Sequence, residues 1–231
     1  ASDVYKRQDL PLQTIVEAIS TRLHKITGDS DLLNNLEWFR KRNEKHSNLE
    51  APIIRKPFFC SGCPHNSSLK VPEGKRALGG IGCHYMAVDS IESTEFFTQM
   101  GGEGTPWIGI APFSHEKHVF ANLGDGTYKH SGILAIRASL DANVNITYKI
   151  LYNDAVAMTG GQEIGSNWDV EGIVKQVLAE GVKKVSILSE DPKRYNHLVN
   201  NEVKSLHRDT IITEQEQLSE YEGVSLSLIH I

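Results

Sequence analysis

The chain has 231 residues, of which 39% are hydrophobic and 23% charged, and its net charge of −5 leaves the basic residues scattered rather than grouped. That length can bury a sizeable core as one large domain or two small ones. The charge argues against a nucleic-acid or anionic-membrane surface as main partner. No apolar run approaches the roughly 18 residues of a bilayer span, and no signal-type segment opens the chain, so a cytoplasmic location is expected.

In chain order, residues 1–8 and 224–231 carry no capping or core logic that joins them to their neighbours, resemble assembly scars and are set aside as non-native ends. Between Leu10 and His46, Ile15, Ile19 and Leu23 give one apolar stripe and Leu33, Leu36 and Phe39 another, with a stop and a cap at Gly28-Asp29-Ser30. Residues 9–50 are therefore predicted to be a helical segment and linker from a preceding domain. Polar residues with Pro52 and Pro57 mark 47–57 as the best internal boundary.

Residues 51–223 then alternate short apolar runs with helical patterns: a strand over 119–123, a helix over 128–140, a strand over 145–152, a helix over 170–179 and a strand over 184–188. This β-α-β-α-β order predicts an α/β, doubly wound, mainly parallel sheet with ligands at the carboxyl ends of its strands.

Gly124-Asp125-Gly126 ends one predicted strand and opens a helix, and 26 residues separate Gly126 from Asn153 at the end of the next strand. That spacing suits one crossover helix and one strand, so Asp125 and Asn153 should lie side by side at one sheet edge. Glycines let the backbone approach a diphosphate, and the helix start points free N–H groups at it. The Asp125 carboxylate, the Asn153 amide oxygen and the Ala155 backbone carbonyl are hard donors of the kind Mg²⁺ takes. Taken singly, both segments would pass for turns.

These residues resemble the thiamine-diphosphate motif, and the segment from Ala157 to Gln162 resembles the stretch immediately after that motif in 2-oxoacid:ferredoxin oxidoreductases, most of all the indolepyruvate type in its long fused form. Cys60-Ser-Gly-Cys-Pro-His65, Gly80-Ile-Gly-Cys-His84, Met100-Gly-Gly-Glu-Gly104 and His130-Ser-Gly132 add to the resemblance in order. It implies a thiamine-diphosphate-binding domain with Gly124, Asp125, Gly126, Asn153, Ala155, Met100, Gly101, Gly104 and Thr159 at the cofactor and Mg²⁺ on Asp125, Asn153 and Ala155. It implies oxidative decarboxylation of a 2-oxoacid, an aryl pyruvate such as indolepyruvate, with coenzyme A taking the acyl group and ferredoxin the electrons. Further domains of the same or a partner chain would complete the site, in a homo-oligomer. A non-oxidative thiamine-diphosphate decarboxylase or carboligase would share the Mg²⁺ motif without needing cysteines.

The three cysteines lie within 24 positions, and an odd number so clustered looks like a ligand group rather than a staple. Cys60 and Cys63 form a C-x-x-C pair and Cys83 comes 20 residues later among glycines. Three thiolates leave a four-sulfur site incomplete; the resemblance implies an iron–sulfur cluster, of the 4Fe-4S kind, with one more cysteine further on. Zinc in an interaction module, with His65 or His84 as fourth ligand, is the structural alternative. His65 and His130 are the candidate catalytic residues, able to hold a 2-oxoacid carboxylate or move a proton, with His84 behind them. Residues 100–107 predict a glycine-rich turn before a helix, and the acidic run 214–222 predicts a solvated helix face.

Overall fold

The computed structural model describes residues 12–47, 58–90, 93–165 and 169–231. The chain divides into two compact units after residue 55. In the first, helices α1 (Leu12–Thr27) and α2 (Asp31–Ser47) occupy the two predicted stripes. Gly28 turns between them in the left-handed region (φ 71). The Asp29 carboxylate accepts the Asp31 N–H at 2.9 Å and so caps α2. Residues 1–8, set aside as a non-native end, and most of the predicted linker, 48–57, lie outside the described residues.

The strands of the second unit are β1 (Ala77–Gly79), β2 (Thr94–Phe97), β3 (Val119–Gly124), β4 (Ile146–Tyr152), β5 (Ala155–Val156), β6 (Gln162–Glu163), β7 (Val185–Ser189), β8 (Val203–His207) and β9 (Val224–His230). Seven of them form a parallel sheet in the order β2-β1-β3-β4-β9-β7-β8. The other two, β5 and β6, make an antiparallel hairpin that hangs from the end of β4. Every residue of β4 is buried, as a central parallel strand covered on both faces requires.

Three short helices, α3 (His65–Ser68), α4 (Ala87–Ser90) and α5 (Thr105–Ile110), precede β3. Helix α6 connects β3 to β4. It starts at Asp125–Thr127, widens into a π-helical stretch at Tyr128–Gly132 and continues as Ile133–Asp141. Helix α7 (Val170–Glu180) is capped by the Asp169 side chain, which accepts the Gly172 N–H at 2.8 Å, and stops at Gly181 with φ 111. Ala135 and Ile136 of α6 and Ile173, Val174 and Val177 of α7 pack with Ala121, Tyr148, Ile150 and Ile187 in one core. A second core joins Leu151, Leu188 and Ile229 to Leu69 and to Ile211 of α8 (Ile211–Ser219).

Two expectations do not hold. Residues 224–231, set aside as lacking core logic, supply β9, which pairs with β4 from Ile146↔Val224 to Tyr152↔His230 and with β7 from Val185↔Leu226. Its period-two alternation puts Leu226 and Leu228 in the first core while Ser225 and Ser227 occupy the alternate positions. The run 214–222 is not wholly solvated either. Glu214 is buried, accepts a hydrogen bond from Ser186 Oγ at 2.7 Å and stands 3.2 Å from Lys204 Nζ. Pairing with two donors is what makes that burial tolerable.

Candidate cofactor site

The carboxyl ends of β3 and β4 are neighbours, with Gly124 opposite Leu151. Asp125 comes directly after β3 and is almost fully buried. Its Oδ1 accepts the Gly126 N–H at 2.7 Å, and its Oδ2 accepts the N–H groups of Asn153 at 2.7 Å and Asp154 at 2.8 Å. The turn after β4 is thus fastened to Asp125, and Asp154 sits in the left-handed region at φ 56, a conformation non-glycine residues adopt sparingly. Asn153 Oδ1 accepts the Ala155 N–H at 3.0 Å and starts the hairpin. The Thr159 hydroxyl braces that hairpin by donating to Gln162 Oε1 at 2.6 Å.

A cavity of about 470 Å³ opens at this edge, lined by Gly124, Asp125, Gly126, Asn153, Ala155 and Thr159. Its remaining wall includes Met100, Cys83, His65, His84 and His130, so one cavity collects most of the residues singled out from sequence. Gly101 and Gly104 stand outside the lining. Gly101 (φ 86) lies against Ser131, whose hydroxyl meets His130 Nδ1 at 2.8 Å. Gly104 (φ 83) begins α5 against Tyr148. The predicted glycine-rich turn before a helix is therefore present, with only Met100 reaching the cavity.

Burial dominates the electrostatics. It raises the Asp125 carboxyl above its ordinary range, against the pull of the three backbone N–H donors. Among the described residues Asp125 forms no ion pair, so a buried carboxylate faces the cavity with no basic side chain to balance it. Carboxylate, amide oxygen and main chain at one sheet edge fit a hard divalent cation in donor chemistry. Burial and neighbouring His65 push His84 down to about 3, and burial and Arg208 push His65 down, so both rings are neutral near pH 7. His84 Nε2 and His65 Nδ1 are buried without a hydrogen-bond partner.

Cys60, Cys63 and Cys83 are all free, and Cys63 N–H closes a turn onto the Cys60 carbonyl at 3.0 Å. Burial raises the Cys83 thiol, and Cys63 and Cys60 raise it further. Among the described residues no group of three His, Cys, Asp or Glu side chains is assembled tightly enough to hold a metal ion. Cysteine thiols are soft ligands by type.

Sequence reasoning missed Val156 and Leu151 around the cavity, and above all Glu103 behind the glycine turn. That side chain is fully buried, accepts the Gly101 N–H at 2.8 Å and fills the space a Cβ on Gly80 would need. A lone carboxylate inside a glycine run was the available signal.

Residues 80–188 match the family described as thiamine pyrophosphate enzyme, C-terminal TPP binding domain. The chain is similar to the indolepyruvate oxidoreductase subunit IorA of Thermococcus kodakarensis, 26% identical over 196 residues covering 76% of this chain and 29% of that protein. It is also similar to IorA of Archaeoglobus fulgidus, 29% identical over 151 residues, 57% of this chain and 24% of that protein. The chain thus spans less than a third of the length of these relatives. Its fold is shared with a 2-oxoglutarate:ferredoxin oxidoreductase from Magnetococcus marinus, with a TM-score of 0.56 and 18% identity over 80% of this chain and 66% of that one. The matches support a thiamine-diphosphate-binding domain of the 2-oxoacid:ferredoxin oxidoreductase family, as the motifs implied.

Proposed function

We propose that this chain is the thiamine-diphosphate-binding part of an enzyme that decarboxylates a 2-oxoacid oxidatively, with an aryl pyruvate such as indolepyruvate as substrate, coenzyme A as acyl acceptor and ferredoxin as electron acceptor. The observation that carries this is the junction of Asp125 and Asn153 on a cavity that Cys83 also lines.

Asp125, Asn153 and the Ala155 carbonyl would hold Mg²⁺, and the bare backbones of Gly124 and Gly126 leave room for the diphosphate beside the start of α6. When bound, thiamine diphosphate supplies the electron sink that lets a 2-oxoacid lose carbon dioxide. Neutral His65, on the cavity wall, offers a ring nitrogen to the substrate carboxylate; His130, fixed by Ser131, offers another or moves a proton. Met100 and Thr159 complete the lining. Cys60, Cys63 and Cys83 would hold a 4Fe-4S cluster close to the cofactor, with a fourth ligand beyond these three, because ferredoxins accept singly the two electrons that the decarboxylation releases. Further domains and a homo-oligomeric partner would complete the site.

The test is the full-length protein purified without oxygen. Iron and acid-labile sulfide, with reduction of a viologen dye that depends on both aryl pyruvate and coenzyme A, are the expected results. Stoichiometric zinc, no sulfide and no dye reduction would overturn the proposal.

A further inference from the structure

One carboxylate stands where two glycine turns behind the cavity meet. Glu103 is fully buried, forms no ion pair among the described residues and leaves Oε1 without a hydrogen-bond partner there. Its Oε2 accepts the Gly101 N–H at 2.8 Å, and the side chain lies against Gly80, where an added Cβ would overlap Cγ and Oε1. Burial raises the carboxyl, and the N–H groups of Glu103 itself, Gly101 and Ile81 pull it back. Ile81 and Gly101 belong to different turns, 80–84 and 100–104.

Each turn leads to a histidine on the cavity wall. In the first, the Ile81 carbonyl accepts from Thr127 Oγ1 at 3.2 Å, at the start of α6. A Cβ on Gly82 would fall 2.6 Å from His84 Cε1, and one on Gly124 would fall 3.7 Å from the same atom, so the His84 ring lies beside both glycines. In the second, Gly101 turns its bare Cα toward Ser131, whose hydroxyl meets His130 Nδ1 at 2.8 Å. Both histidines line the cavity.

Burying an unbalanced charge is costly, and a leucine would fill this space without one. What the carboxylate adds is acceptor oxygens and no donor. A glutamine would present one acceptor and an NH₂ group, which would set donor against donor at one of the turns.

We propose that Glu103 is a positioning residue for the reaction, tying the two glycine turns into one wall and so setting His84 and His130 at the cavity. The proposal rests on the thiamine-diphosphate reading of the function, and its experiment keeps the two apart. In the cofactor-free full-length protein, Glu103→Gln should speed backbone hydrogen exchange across 80–84 and 100–104 about tenfold, the effect of losing one charge-assisted hydrogen bond, and leave 146–152 at the wild-type rate. With Mg²⁺, thiamine diphosphate and 2-oxoacid saturating, the same variant should lose about tenfold in kcat while its cofactor affinity stays within about twofold of wild type, because Asp125 and Asn153 are untouched. Glu103→Leu, which keeps the bulk and removes both acceptors, should show the same split. Should either variant not fold, Glu103→Asp, which keeps the charge and shortens the reach by one methylene, is read in the same assays with the same split expected. Wild-type exchange and kcat in the variants would overturn the proposal. So would a loss of cofactor affinity as large as the loss of kcat with faster exchange across 146–152, the mark of a general loosening. A wild type that neither binds thiamine diphosphate nor turns over a 2-oxoacid removes the functional reading, and the exchange rates alone then decide whether Glu103 ties the turns.

Discussion

Asp125 Oδ2 accepts the backbone N–H of Asn153 at 2.7 Å across 28 positions of sequence, joining the ends of two adjacent parallel strands into one turn-on-turn contact. Among the described residues the Asn153 amide oxygen accepts from Ala155 N–H alone, and Asn153 lines the cavity. Asn153→Ala should therefore weaken Mg²⁺-dependent thiamine-diphosphate binding by about tenfold, the loss of one neutral oxygen donor. Calorimetric titration of the full-length variant checks this, and unchanged binding would show that Asn153 holds no metal.

Gly104 tests the packing behind the site. At φ +83, a Cβ would lie 2.7 Å from Tyr148 Oη and 2.9 Å from Ile146 Cδ1. Tyr148 cannot give way freely, since its hydroxyl donates to the Ala135 carbonyl at 3.0 Å and meets Ser139 Oγ at 2.9 Å. Gly104→Ala should destabilise the fold by about 1–3 kcal/mol through overpacking and backbone strain. Gly109, in α5 with nothing within 4 Å of an added Cβ, is the control. Gly109→Ala should be neutral or stabilise by up to about 1 kcal/mol. Urea midpoints at unchanged slope measure both.

Lys149 makes stability depend on pH. Burial lowers its ammonium from 10.5 to about 7, so between those values the unfolded chain binds a proton that the folded chain does not. Stability of the cluster-free protein should then rise as pH increases from about 7 toward 10.5, by at most about 1.4 kcal/mol per pH unit from this group. Lys149→Met should remove that rise. A slope equal in variant and wild type would place the proton elsewhere.

Much of the sheet was legible because its central strands are buried on both faces. The runs 119–123 and 145–152 are rich in β-branched, aromatic and other apolar residues between turn residues, and the structure places β3 and β4 there. Glycines around Asp125 and the spacing to Asn153 then brought the two residues together on paper as they are in the fold. Less was legible at the edges. β1 and β2 have three and four residues, too few for a period to show. β9 alternates Ser with Leu, a period-two pattern whose place in the core shows only beside its neighbours β4 and β7. Arg208 could not be found at all, because its partners Ser67 and Ser68 lie 140 or more positions away. Lys149 could have been, since it is the one charged residue of β4.

If Asp125 anchors a divalent cation that in turn anchors a diphosphate, cofactor affinity must depend on both the ion and this one carboxylate. Calorimetric titration of the full-length protein with thiamine diphosphate, with and without Mg²⁺, on wild type and Asp125→Ala tests this most directly. Wild type should bind only when Mg²⁺ is present, and the variant should lose at least about a hundredfold in affinity, because the cation loses its charged protein ligand. Equal affinity with and without Mg²⁺, or an Asp125→Ala variant that binds like wild type, would contradict the account.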